Sequence, residues 1–284
     1  MRHFTTLIDA NTLSEHLSRD DLTLFDCRFD LGNVQWGETE FARAHVPGAI
    51  YLHLDRDLSG PVSATSGRHP LPDPEIFARR LGELGVSPDR QIVAYDQGNA
   101  AYAARLWWLA RWTGLRNVAV LDGGLAAWRA AGLPVDTSTR TPQPRALTLS
   151  LVADAWVSSE SVDELRLRPG NLLIDARGAE RFAGKNETID KVAGHVPGAR
   201  NRPFLENLGA DGRFLPVEVL RKRFGTLLGS IAPSSVIAMC GSGVTACHHL
   251  LALEHAGLTG ARLYAGSWSE WIRDPRRPVA TGAY

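Results

Sequence analysis

The chain has 284 residues, with 31 Lys plus Arg balanced by 31 Asp plus Glu and so no formal net charge. That length favours two domains, each large enough for its own core without disulfide or metal staples. The composition excludes the charge footprint of a nucleic-acid binder, and no apolar run approaches the ~20 residues of a membrane span. The N-terminal MRHFTTLIDANTL lacks the apolar core of a secretory signal, so a cytoplasmic protein with no membrane partner is expected. Three cysteines, Cys27, Cys240 and Cys247, are too few for a disulfide scaffold. No CxxC spacing anchors a zinc ion.

Short apolar runs alternate with longer helical patterns. In the first half, strands are expected at 22–27, 92–95 and 118–121, with helices at 73–84 and 100–113. Pro74 suits the first turn of its helix. A stretch rich in Thr, Pro and Ser follows, near 134–150, and reads as a linker. In the second half, strands are expected at 172–176, 236–239 and 261–264, with helices at 216–227 and 244–255. This order suggests two α/β domains, each with a central, mainly parallel sheet flanked by helices. In such sheets sites form beyond the strand carboxyl ends, where Asp26, Asp96, Asp175 and Cys240 fall. The acids there serve either chemistry or the capping of turns and helices.

The two halves repeat each other. LFDCR (24–28) matches LIDAR (173–177), and HVPGA recurs at 45–49 and 195–199. QIVAYD (91–96) matches VIAMC (236–240), and LDGGLAAW (121–128) matches YAGSWSEW (264–271). Four matched blocks in one order indicate one domain used twice rather than a solenoid. The expected boundaries are a first domain at 1–135, a linker at 136–150 and a second domain at 151–284; the first is the copy that the resemblance described below makes non-catalytic.

What the halves do not share is informative. The third block ends in Asp96-Gln-Gly-Asn99 in the first copy and in Cys240-Gly-Ser-Gly-Val-Thr-Ala-Cys247 in the second. Cys240 therefore sits between a strand and a glycine-containing loop that opens a helix. Backbone N–H groups in such a loop form an anion cradle, and the helix N-terminus points at the same place. Both effects favour a thiolate. Ser242 and Thr245 can add hydroxyl bonds. Cys27 and Cys247 are expected in the core. His248 and His249 lie two turns along the helix from Cys240 and are poorly directed as its bases. His45 and His195 occur in both copies and are expected to serve architecture. An anionic substrate needs cations, and Arg177 and Arg181 in DARGAERF should lie beside the Cys240 loop. The loop RHPLP (68–72) from the first half could close over the site.

These motifs resemble those of the two-domain rhodanese-type sulfurtransferases over nearly the whole chain. They are DCR, AHVPGA, GRHPLP and LDGGLAAW in the first half, and DARGAERFAG, AGHVPGA, CGSGVTAC and AGSWSEW in the second. The resemblance implies tandem rhodanese-like domains with the C-terminal copy active. Cys240 would take a sulfane sulfur from a small anionic donor as a persulfide, then pass it to cyanide, a thiol or thioredoxin. No metal or organic cofactor is implied, and a monomer is expected.

The loop Cys240, Gly241, Ser242, Gly243, Val244, Thr245 carries no Lys or Arg. Mercaptopyruvate-preferring members carry CG[ST]GVT, whereas thiosulfate-preferring members often place cations there. The resemblance therefore implies 3-mercaptopyruvate as donor, with thiosulfate as the alternative. It further implies that Arg181 binds substrate, that Ser242 helps to position or polarise the thiol, and that His69 and Asp57 approach the site. Mercaptopyruvate enzymes commonly have a second arginine just before the GH[IV]PG turn. Here residues 184–195 offer only Lys185 and Lys191. A non-enzymatic binding module, a persulfide carrier for cofactor biosynthesis and a phosphatase are the other uses of such a fold. The phosphatase pattern CxxxxxR needs an Arg at the position held by Ala246.

Overall fold

The computed structural model describes residues 3–282. The chain forms two compact units. The first comprises Met1–Gly60, Pro72–Val152 and Gly209–Phe214; the second comprises Pro61–Leu71, Ala153–Leu208 and Leu215–Tyr284. Each unit thus takes one short segment from the opposite half of the sequence. The stretch 136–150 is not a free linker. It runs along the first unit, where Asp136 N donates to His45 O (2.8 Å) and Arg145 N to Gly82 O (2.8 Å). Apolar periodicity is absent there because the segment is held through backbone groups rather than a buried face.

The first unit contains strands β1 (Leu7–Ile8), β2 (Leu22–Asp26), β3 (Ile50–Tyr51), β4 (Gln91–Tyr95) and β5 (Val118–Leu121) in the order β1-β5-β4-β2-β3. The second contains β6 (Trp156–Val157), β7 (Leu172–Asp175), β8 (Arg200–Asn201), β9 (Val236–Met239) and β10 (Arg262–Tyr264) in the order β6-β10-β9-β7-β8. All pairings between these strands are parallel, and the second order is the first shifted by five. The expected α/β class and tandem organisation are borne out.

Every residue of β2, β4 and β5 is buried. Leu24, Val93, Tyr95, Ala119 and Leu121 join Leu13, Leu125 and Trp128 in one core. The alternate residues Phe25, Ile92, Ala94, Val118 and Val120 are buried on the opposite face. A sheet covered on both faces gives continuous apolar runs rather than alternation, which is why these strands were readable from the sequence. In the second unit Leu173, Ile237, Met239 and Tyr264 pack with Phe182, Trp268 and Trp271. Helix Pro74–Glu83 starts where Asp73 accepts from Glu75 N and Ile76 N (both 2.9 Å), a cap worth about 1 kcal/mol. Pro74 opens that helix. Helix Thr245–His255 has residues 246–253 all buried, so it shows little amphipathic pattern.

The repeated motifs are one device built twice. In the first unit Asp26 binds the Arg28 guanidinium, whose Nη2 also donates to Ala44 O (2.8 Å). In the second, Asp175 binds Arg177, whose Nη2 donates to Gly194 O (2.8 Å). Each acceptor carbonyl immediately precedes the histidine of HVPGA. His45 Nδ1 bonds Phe41 O (2.8 Å) and its ring stacks on Phe41; His195 Nδ1 bonds Phe182 O (2.9 Å) and stacks on Phe182. Burial pushes the His195 imidazolium below its ordinary range. The acid at the strand end therefore anchors an arginine rather than capping a helix. Both histidines serve this clamp.

Candidate active site

Cys240 follows β9 directly and is 2% exposed. Its position is set by the segment 264–269. Cys240 N donates to Ser267 Oγ (3.0 Å), and that hydroxyl donates on to Tyr264 O (2.9 Å). Trp268 N donates to Cys240 O (3.0 Å) and Ser269 N to Gly241 O (2.8 Å). Ser267 has φ 53°, a left-handed conformation uncommon for a residue with a side chain. The bonds on both sides of its hydroxyl hold it there.

The loop then turns back over the sulfur. Gly243 N donates to Cys240 Sγ at 3.1 Å and Ser242 N at 3.4 Å. Gly243 has φ +78°, and a Cβ there would stand 2.2 Å from Ala265 O, so only glycine fits. Val244 is the N-terminal flanking residue of helix Thr245–His255, and Thr245 is its first residue. Cys247 Sγ donates to Gly243 O (3.3 Å), so this cysteine braces the loop from the helix. The result is a sulfur facing two backbone donors at a helix start, a geometry that stabilises negative charge on sulfur.

Cations stand at the same loop. Arg181, on helix Ala179–Phe182, has Nη2 3.6 Å and Nη1 3.7 Å from the point a Gly241 Cβ would occupy. Its guanidinium is held by Glu187 (2.9 Å) and Asp190 (3.0 Å). Burial would raise the Glu187 carboxyl, but the Arg181 bond and the N–H groups of Asp190 and Ile189 hold it below its ordinary value. Asp190 is raised, because burial and the neighbouring Glu187 outweigh Arg68 and Arg181. Arg177 does not line the site. It is 3% exposed, lies 4.8 Å over the Trp268 ring and pairs with Asp175.

His69 belongs to the same unit as Cys240, and its Nδ1 shares a hydrogen bond with Ser242 Oγ at 2.7 Å. Asp57 belongs to the first unit, where it accepts from His53 N (2.8 Å) and Arg80 Nε (3.0 Å). The structure brings Cys240, Gly241, Ser242, Gly243, Val244, Thr245, Arg181 and His69 together in one unit and leaves Asp57 outside that group. His249 is buried, bonded to Arg202 O (2.7 Å) and Asn207 Nδ2 (2.9 Å), and burial brings it down to about 3. His248 accepts from the same amide (3.2 Å). Burial and the adjacent Asp26 push the Cys27 thiol well up, as suits an inert core residue.

The first unit has a carboxylate at the matching place after β4. Asp96 accepts from the backbone N–H groups of Gly98, Ala100, Tyr102 and Ala103, at 2.9–3.2 Å. Burial still raises its carboxyl above the ordinary value, and the four donors offset part of that cost. The same loop architecture thus gathers N–H donors around an internal anion in one unit and around a thiol in the other. Two residues that sequence reasoning missed are Asp190 and Arg68. Asp190 lies in the run 184–195, which carries no arginine and whose acids gave no signal of their own. Arg68 was legible only as part of GRHPLP, and its signal is its place beside His69.

Two parallel α/β units of one topology, one with a thiol and one with a carboxylate in the same cradle, define a tandem-domain protein with one candidate nucleophile. The rhodanese-like domain family model matches residues 9–131 and again residues 158–274, and the chain belongs to that family. It is 49% identical over 278 residues to a Pseudomonas aeruginosa protein named "Probable 3-mercaptopyruvate sulfurtransferase", covering 97% of this chain and 98% of that one. It is 33% identical over 289 residues to the thiosulfate sulfurtransferase of Mus musculus, covering 98% and 95%. The solved 3-mercaptopyruvate sulfurtransferase from Leishmania major superposes with a TM-score of 0.83 at 32% identity, over 95% of this chain and 76% of that one.

Proposed function

We propose that the protein is a sulfurtransferase that takes a sulfane sulfur from 3-mercaptopyruvate onto Cys240 and passes it to cyanide or a thiol, including thioredoxin. The observation that carries this reading is Cys240 Sγ facing the N–H groups of Gly243 (3.1 Å) and Ser242 (3.4 Å) in a loop without Lys or Arg. Near end-to-end identity to the Pseudomonas aeruginosa protein supports it.

In this scheme the Cys240 thiolate attacks the donor sulfur. The sulfur–sulfur bond forms as the donor carbon–sulfur bond breaks, and the electron pair leaves on the pyruvate enolate, which takes up a proton. The N–H groups of the loop stabilise the charge on sulfur. Arg181 binds the donor carboxylate, and the Ser242–His69 pair sits where it can hold or move the proton. Attack by the acceptor on the outer sulfur restores the thiolate. Asp57 acts indirectly, by fixing the start of the segment that leads to His69. None of the three cysteines is in a disulfide, which suits a reducing cytoplasm.

Thiosulfate is the second donor to consider, since the mouse relative bears that name. Two carboxylates, Glu187 and Asp190, already compensate the guanidinium groups near the loop. A dianion therefore gains less there than a monocarboxylate does. Steady-state kinetics with both donors and one acceptor tests this. A kcat/KM at least about tenfold higher for 3-mercaptopyruvate is expected, a difference of about 1.4 kcal/mol. A higher value for thiosulfate contradicts the donor assignment.

A further inference from the structure

We propose that the first unit carries a binding site for a phosphate dianion, free or borne on a small organic body, in the cavity where Arg90, Arg140 and Arg145 meet. The cavity has a volume of about 320 Å³ and is lined by residues of that unit alone. It lies at the amino ends of the strands: Thr23 is near the start of β2, and Arg90 immediately precedes β4. Asp96 and its N–H donors follow the other end of β4. The site is therefore separate from that cradle, and it does not rest on the sulfurtransferase reading.

Three observations carry it. The first is a buried cation without a counter-charge. Arg90 is 7% exposed. Its Nε donates to Thr23 Oγ1 (3.2 Å) and its Nη2 to Leu22 O (3.1 Å), both neutral acceptors. Among the described residues no carboxylate pairs with it, and its Nη1 has no hydrogen-bond acceptor. Burial, Arg145 and Arg140 together pull its guanidinium below the ordinary value, outweighing Asp21 and Asp89. Buried charges are ordinarily paired, so Arg90 calls for an anion.

The second observation is convergence. Arg140 and Arg145 line the same cavity, and neither side chain makes an ion pair or a hydrogen bond with a described residue. Asp20, which is exposed, is the one acid among the described lining residues. Three guanidinium groups thus face one carboxylate, in a chain with no net charge. A concave site of one sign concentrates the opposite ion. Planar guanidinium forks match the oxygens of a phosphate group.

The third observation is construction. The segment that carries the two exposed arginines is fixed against the end of helix Pro74–Glu83. Arg145 N donates to Gly82 O (2.8 Å), and a Cβ on Gly82 would stand 2.5 Å from Arg145 O. Gly85 has φ +83°, and a Cβ there would stand 3.1 Å from Gln143 O. Two glycines let the segment come this close. Ile50, Leu84 and Pro142 add apolar wall to the cavity. Its volume falls at the lower end of the ~300–1,000 Å³ usual for small-molecule pockets, so an organic body fits beside the phosphate.

Isothermal titration calorimetry of the full chain, in a chloride buffer of low ionic strength, tests this with inorganic phosphate and with glycerol 3-phosphate. Wild type is expected to bind at least one probe with a Kd below about 1 mM. Arg90→Gln and the double variant Arg140→Ala/Arg145→Ala are each expected to weaken that binding at least about tenfold. Both residues of the double variant are exposed, so it keeps its fold even if Arg90→Gln does not. Similar constants for the two probes assign the cavity to the free ion. Binding of glycerol 3-phosphate at least about tenfold tighter assigns it to a phosphorylated small molecule; either result upholds the site. A Kd above about 1 mM for both probes, or binding by the double variant within about twofold of wild type, overturns the proposal.

Discussion

Cys240→Ser is expected to lower sulfur transfer by at least about 10³-fold from either donor, with the fold unchanged. The serine oxygen can accept the same two N–H bonds, from Ser242 and Gly243, so the loop keeps its shape. What is lost is a soft nucleophile able to form a sulfur–sulfur bond and release it again. Near-ultraviolet circular dichroism should match the wild type, since the substitution leaves the bond from Trp268 N to Cys240 O in place. Turnover within tenfold of wild type would remove Cys240 from the mechanism.

The second large effect is on stability. Arg177→Ala is expected to destabilise the second unit by about 3–5 kcal/mol, because it leaves the buried Asp175 carboxylate without its counter-charge. Arg177 binds Asp175 through Nε and Nη2 (3.0 and 2.7 Å), reaches Gly194 O, and lies 3.6 Å from Glu187. Both carboxylate side chains are almost fully buried. The cation also covers the Trp268 ring. Urea unfolding followed by tryptophan fluorescence should show the lower midpoint. A change under 1 kcal/mol would mean that the Asp–Arg clamp is dispensable. Arg28 makes the equivalent clamp in the first unit, so its substitution is the natural control.

Much of this architecture was legible because the chain carries its own comparison. LFDCR against LIDAR and the two HVPGA turns were readable as a repeat before their meaning was. Their meaning needed coordinates, since the Arg28 to Ala44 and Arg177 to Gly194 bonds join residues 16 and 17 apart. The long apolar strands and the helices at 73–84 and 100–113 followed from burial on both sheet faces. The two-residue strands β1, β3, β6 and β8 left no periodic signal, because two residues cannot show a period. The cradle at Cys240 was readable from its glycines and from the contrast with Asp96. The place of residues 61–71 in the second unit was foreshadowed by RHPLP, a first-half loop able to close over the site, whereas that of 209–214 in the first unit was not, since a short polar segment carries no mark of the core it joins. A lone arginine in a loop, such as Arg68, reads as surface until its backbone bond to Ser269 Oγ is seen to place it.

The central claim is a covalent sulfur on Cys240, and intact-mass and peptide mass spectrometry after donor is added without acceptor tests it most directly. The account predicts one added sulfur atom on the Cys240 peptide, discharged by cyanide and absent in Cys240→Ser. Pyruvate released with no added sulfur at Cys240, or with the sulfur on Cys27 or Cys247, would contradict it.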